Sequence, residues 1–265
     1  MGILSSGFLC AEGDFKLPSL SLDTSCGFDS EYVYRGTKLN QQFFSPKVEI
    51  STSFFGNGDI YFGTKAFLAT KNSRFNKYDL HIGLSHEITD LIVLDFGFTH
   101  HIYRNRFKWI PVIRPYWEKT KRHSEEIYIG CSSDISLSPS VYYAYDITQK
   151  RHNLEGKVNY LYDLSQWGAG GLAVDLLAKI GYDRTQQPFG LKGTFKSDGA
   201  FAGSKKHYFY YGAGADLVYT INPNTAARAG AKFEGANGKK AWIAKISEKY
   251  RRDLFWFSTS IDCSF

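Results

Sequence analysis

Three observations predict an all-β chain, an antiparallel up-and-down transmembrane β-barrel of about twelve strands. Apolar and polar residues alternate with a period of two in run after run, and that is the strand period. The 265 residues include 18 Tyr, 21 Phe and 25 Gly against one Met, a β-like, aromatic-rich composition. The connections between runs fall into two alternating sets, one of short turns and one that holds every long segment. Short turns on the periplasmic side and long loops outside is the pattern of outer-membrane barrels, and it puts both termini in the periplasm. Hydrophobic residues make up 43% of the chain, yet no run of about 18 apolar residues could cross a bilayer as a helix.

Residues 18–265 read as one barrel domain, and 1–17 as a signal-peptide remnant or a disordered N-terminus. Gly2 to Ala11 is apolar and small, like the tail of a secretory signal cut near Ala11, although it lacks a positive n-region. The first strand spans Leu20 to Arg35, with Leu22, Cys26, Phe28, Tyr32 and Tyr34 on one face and Asp23, Asp29, Glu31 and Arg35 on the other. That length exceeds the usual soluble strand. Gly36 to Gln41 reads as a polar loop, and Pro46 to Phe55 as the second strand. Gly56-Asn57-Gly58-Asp59 is a tight-turn signal, because Gly and Asn accept positive φ at low cost.

Ile60 to Thr70 and Tyr78 to Ile88 follow, separated by basic Lys71 to Lys77. A minimal turn at Thr89-Asp90 leads into Leu91 to Arg104. Asn105 to His123 is long, basic and interrupted by Pro111 and Pro115. Strands return at Glu125 to Asp134, Val141 to Ile147, Leu154 to Leu164 and Leu172 to Asp183. After the loop Gln186 to Lys206, His207 to Ile221 alternates again, and Asn222-Pro223-Asn224 turns. Thr225 to Glu234 completes the hairpin, although its Ala-rich run also suits a helix. A third long loop, Gly235 to Arg251, precedes the last strand.

That last strand alternates Phe255, Phe257, Thr259, Ile261, Cys263 and Phe265 against Leu254, Trp256, Ser258, Ser260, Asp262 and Ser264. A closed barrel ties such a strand to the first one. An aromatic residue ending an alternating strand also resembles the C-terminal signature of bacterial outer-membrane β-barrels. Cys10, Cys26, Cys131 and Cys263 show no CxxC spacing, so metal and redox motifs have no support. The last three fall on apolar faces as small hydrophobic residues, and disulfides stay open.

The segment Ser30-Glu31-Tyr32-Val33-Tyr34-Arg35-Gly36 resembles the early S-x-Y-V-(F/Y)-R-G motif of a bacterial family of outer-membrane β-barrels, the Gcw_chp-type conserved hypothetical family. A weaker similarity continues through Glu126 to Gly130, Leu137 to Asp146 and Leu154 to Leu164. The resemblance implies a barrel and an outer-membrane location, and no chemistry. Arg35-Gly36 itself reads as a strand-end turn where the first strand leaves the membrane.

A charge facing lipid costs roughly 2–4 kcal/mol for Lys or Arg at the midplane, so the charged faces should line the lumen. The polar candidates there are Glu31, Arg35, Lys47, Glu49, Lys65, Asp79, His81, Glu87 and Asp95 in the first half. Glu126, Asp146, Glu155, Lys157, Asp175, Lys179, Asp216, Arg228 and Lys232 follow, with Asp183 and Glu234 on the same faces. Paired charges that hold the barrel's shape are one reading, and a narrow polar path with charge rings that set selectivity is the other.

The long loops carry Arg106, Lys108, Arg114, Lys119, Lys121, Arg122, Lys239, Lys240, Arg251 and Arg252. This cationic rim would attract anions, with lipopolysaccharide phosphates first and anionic solutes second. Trp109, Tyr116, Trp117 and Trp242 beside it suit an aromatic girdle. Nothing matches a nucleic-acid-binding motif.

The expectation is therefore an outer-membrane barrel in a Gram-negative-type envelope, acting as a narrow porin for small solutes, anionic ones among them, or as a structural protein. Its partners would be the lipid bilayer, lipopolysaccharide, small solutes and, during insertion, the barrel assembly machinery. No cofactor or metal is implied, and His81 and His101 make a poor metal set. One alternative is a phospholipase-like enzyme built on the rim histidine His100, or on His86; it lacks a GxSxG or His-x-Ser partner. Another is a soluble secreted barrel with an apolar ligand inside, which requires the apolar faces to point inward.

Overall fold

The computed structural model describes residues 20–54, 57–70, 76–104, 123–185, 206–237 and 253–265. They form twelve strands closed into one antiparallel barrel, each strand pairing with its sequence neighbours. The strands are β1 (Leu20–Tyr34), β2 (Thr37–Phe54), β3 (Gly58–Ala69), β4 (Asn76–Thr89), β5 (Ile92–Arg104) and β6 (His123–Ser133). They continue as β7 (Ser140–Asp146), β8 (Arg151–Asp163), β9 (Leu172–Thr185), β10 (Lys206–Asn222), β11 (Thr225–Asn237) and β12 (Asp253–Ser264). The closing seam pairs β1 with β12, with Cys26 opposite Ile261. There Phe265 and Leu22 exchange two N–H···O bonds of 2.9 Å. Closure leaves no unpaired sheet edge, which a bilayer would not tolerate.

The alternation sets the two surfaces. Side-chain bonds between strands two apart can form only on the concave side of a closed barrel. Tyr61 on β3 reaches Asp95 on β5 in this way, and Tyr210 on β10 reaches Glu155 on β8. The opposite faces carry the large apolar residues, with Phe62 54%, Phe96 58%, Ile129 53%, Ile180 63% and Phe257 61% exposed. So the apolar faces point out and the charged faces point in, and the soluble barrel with an apolar interior is overturned. The reason is physical: an unpaired charge costs far more in hydrocarbon than in a hydrated lumen.

The Ala-rich run of β11 is a strand. Its backbone pairs with β10 on one side, Ala215 opposite Ala231, and with β12 on the other, Ala231 opposite Phe257. Satisfied hydrogen bonds on both edges outweigh the modest helix preference of alanine.

Two expectations near the first hairpin fail. Gly36 to Gln41 is not a loop, because β2 starts at Thr37 and the β1–β2 connection is only Arg35-Gly36. Tyr32 and Tyr34 do not share the outward face of Phe28. The β1–β2 register shifts between Tyr32 and Val33. A bulge there breaks the alternation for the residues that follow it, Tyr34 among them. Tyr32 turns inward against Phe43 and Phe67, at 4.8 Å from each ring centroid. Cys26, Cys131 and Cys263 are free thiols, the first two exposed on the apolar face.

Candidate functional site

The lumen is lined by carboxylate–cation pairs that climb the wall. Near the turn end, Lys47 approaches Glu49 at 3.1 Å, and the same carboxylate meets His81 at 2.6 Å. Arg228 joins Asp175 at 2.8 Å and Asp262 at 3.0 Å. Higher up, Lys157 holds Glu155 at 2.9 Å, and Lys232 lies 3.8 Å from Asp216. Lys179 pairs with Glu234. Lys65 sits over the Phe67 ring, 5.0 Å from its centroid. The sequence placed these charged residues, Asp262 apart, among its inward candidates, and the fold supplies the pairing.

At the loop end the interior is packed. Lys77 bonds Asp79 at 2.9 Å, and His101 bonds the other oxygen of that carboxylate at 2.7 Å. Arg151 donates to Asp183 at 2.7 Å and to the Tyr208 hydroxyl at 3.0 Å. Asn153 donates to the Tyr210 hydroxyl at 3.0 Å. Glu126, Asp146 and Glu234 are also buried in this layer. Arg35 reaches it from the first hairpin and bonds both oxygens of Glu126, at 3.0 and 2.9 Å.

The sequence reads Lys77 as the end of a basic segment and leaves Arg151 between the strands Val141 to Ile147 and Leu154 to Leu164. The available signal was parity: Lys77 lies two residues before Asp79, and Arg151 lies four before Glu155, so each continues an inward face.

The turn end is more open. A cavity of about 430 Å³ is lined by Glu49, Asp59, Tyr61, His81, Asp95 and Tyr128, among others. Its lining includes no Lys or Arg among the described residues. Tyr61 donates to Asp95 at 2.6 Å, and Asp146 higher up accepts from the Gln149 N–H at 2.7 Å. A second cavity of about 220 Å³ lies nearer the loop end, with Asp29, Glu31, Lys65, Lys179, Lys232 and Trp256 in its wall. Glu87 is exposed on the inward register close to the β4–β5 turn. In the β8–β9 turn, Ser165 donates its N–H at 2.7 Å and its Oγ at 2.8 Å to Asp163. These bonds hold that carboxyl below the usual carboxylate range.

His100 stacks on His123, with ring centroids 5.8 Å apart, and lies 3.9 Å from Glu125. His86 is exposed on the outer face. The basic-loop residues Arg106, Lys108, Arg114, Lys119, Lys121, Arg122, Lys239, Lys240, Arg251 and Arg252 lie outside the described residues, as do Trp109, Tyr116, Trp117 and Trp242.

No protein-family model matches the chain, and no curated protein matches it. Among solved structures, the chain is similar to the NanC porin, with a TM-score of 0.49 and 13% identity over 92% of this chain and 98% of that one. It is similar to LpxR from Salmonella typhimurium, with a TM-score of 0.49 and 11% identity over 92% and 99%. It is also similar to an outer membrane channel from Pseudomonas putida F1, with a TM-score of 0.48 and 8% identity over 96% and 98%.

Proposed function

We propose that this chain is an outer-membrane β-barrel that passes small polar solutes and favours cations over anions. The observation that carries the reading is a closed barrel with an apolar exterior and a charged interior that opens into a vestibule at the turn end. An apolar belt outside with polar residues inside is what a bilayer demands of a spanning barrel. A twelve-strand barrel is wide enough to leave space within, whereas about eight strands are filled by their own side chains.

The sign of the preference follows from which charges are committed. Most lumen Lys and Arg side chains are matched to carboxylates along the wall, whereas Lys65 sits over the Phe67 ring. Asp59 and Asp95 stand in a vestibule whose lining holds no Lys or Arg among the described residues. Unmatched carboxylates inside a narrow, low-dielectric passage raise the local cation concentration. The chain's net charge of +6 points the other way. Its basic residues, however, concentrate in the long segments 105–122, 186–205 and 238–252, which separate the described strands in the sequence. A contact between those segments and lipopolysaccharide phosphates belongs to the same proposal.

The test is planar-bilayer recording of the purified chain under a KCl gradient. Discrete steps with a reversal potential of the potassium sign are expected. Silence from the wild type and from every hairpin variant described below overturns the solute path. Steps with the chloride sign overturn the cation preference alone.

A further inference from the structure

The first hairpin does not continue the wall. It folds across the loop-end mouth. Arg35 and Gly36 form its tip, with φ of 50° and 71°. Two positive φ values mark a type I′ turn, the tightest way to join two strands. A hairpin that followed the wall could meet only the strands beside it.

This tip meets strands all round the barrel. Arg35 bonds Glu126 on β6, with the two side chains 11% and 10% exposed. The Tyr208 hydroxyl on β10 donates to the Arg35 carbonyl at 3.1 Å. The Gly36 N–H donates to Glu234 on β11 at 3.0 Å. The Tyr34 ring lies 4.7 Å from the Lys77 ammonium on β4 and 5.7 Å from the Arg151 guanidinium on β8. Gly36 presses on the wall closely enough that a Cβ there would collide with Tyr210. Contacts to five different strands are possible only if the tip lies inside the lumen.

The wall around the tip largely satisfies itself. Asp79 with Lys77 and His101, Arg151 with Asp183, and Lys179 with Glu234 are pairs made between wall residues. Withdrawal of the tip would leave those pairs in place. It would break the Arg35–Glu126 bridge, the bonds to Gly36 and to the Arg35 carbonyl, and the contacts of the Tyr34 ring with Lys77 and Arg151. The desolvation cost of a buried ion pair opposes its Coulomb gain, so rehydration of Arg35 and Glu126 offsets much of the loss. The gap between the closed and open positions is therefore smaller than the list of contacts alone suggests, and a gate requires it to be small.

We propose that the Tyr34–Gly36 tip is a gate that closes the loop-end mouth, latched by Arg35 on Glu126. It rests on the reading of the lumen as a solute path. The experiment is single-channel recording of the full chain in planar bilayers as wild type, Arg35→Ala, Glu126→Gln and the charge swap Arg35→Glu with Glu126→Arg. Heat-dependent mobility in detergent selects the folded variants. Open probability should rise about tenfold in each single variant, the factor produced by losing one charge-assisted hydrogen bond. The charge swap should return it toward the wild-type value.

Equal open probability in the wild type and the single variants overturns the gate and leaves the solute path standing. A swap as open as the single variants overturns the latch. Silence from all four, and from a chain with Tyr34–Gly36 replaced by a shorter turn, overturns the path and the gate together. Hydrogen exchange offers a readout independent of current. The Gly36 amide should exchange at least several-fold faster in Glu126→Gln than in the wild type, and an unchanged rate counts against the latch.

Discussion

A tyrosine ring laid over a glycine of the next strand recurs along the inner wall. Tyr61 covers Gly83, Tyr128 covers Gly97, Tyr142 covers Gly130 and Tyr210 covers Gly181, each so closely that a Cβ on the glycine would collide with the ring. The glycine lets the ring lie flat, so bulky side chains line the wall without closing the lumen. The flat ring also carries its hydroxyl to a carboxylate further round, as Tyr61 does to Asp95 at 2.6 Å and Tyr210 to Glu155 at 2.7 Å. Gly97→Val and Gly181→Val should destabilise the barrel by about 1–3 kcal/mol, the usual cost of overpacking. Gly170→Ala, with no atom within 4 Å of its Cβ position, should stay within about 0.5 kcal/mol of the wild type. Urea unfolding from lipid vesicles measures all three. Alternation alone put Gly97 and Gly181 on the inner face. The ring above each depends on strand register, which the sequence does not display.

At the scale of the strand, the inner and outer faces should respond to charge in opposite ways. Phe96 and Asp95 are adjacent on β5, one 58% exposed on the outer face and the other bonded to Tyr61 inside. Phe96→Arg should cost about 2–4 kcal/mol if the site lies near the bilayer midplane. Asp95→Asn should cost about 1 kcal/mol or less, because an amide still accepts the Tyr61 hydroxyl. Folding yield into bilayers, followed by tryptophan fluorescence, separates the two. The β1–β2 hairpin was the element least legible in advance. Its motif reads as a turn, and it is one, with Arg35 and Gly36 at positive φ. The bulge between Tyr32 and Val33 interrupts an alternation that looks continuous in the sequence, so the tip's path into the lumen stays hidden.

For the whole molecule, closure predicts cooperative resistance to detergent, since all twelve strands must part together. The cold-solubilised protein should run at a different apparent size from the boiled one. Identical mobility together with recovery in the soluble fraction would contradict a membrane barrel. The vestibule makes a second prediction. Asp59→Asn combined with Asp95→Asn removes two carboxylates from a cavity lined by no Lys or Arg among the described residues. The reversal potential should then move toward zero, while Lys157→Gln, which takes the cation from Glu155, should move it away from zero.

By itself the sequence determined the number of strands and, outside the β1–β2 hairpin, their alternating turns and loops and which residues share a face. These are local properties: a period of two, Gly-Asn turn chemistry and runs too polar for a helical span. Alternation is the same for a barrel read inside out, so the direction of each face was decided by tertiary structure, through bonds such as Arg228 to Asp175 that only a concave interior allows. Tertiary structure also decided which charges neutralise one another and that Arg35 meets Glu126, its partner 91 residues away. Such contacts join residues brought together only when β12 closes on β1, and no local pattern encodes them.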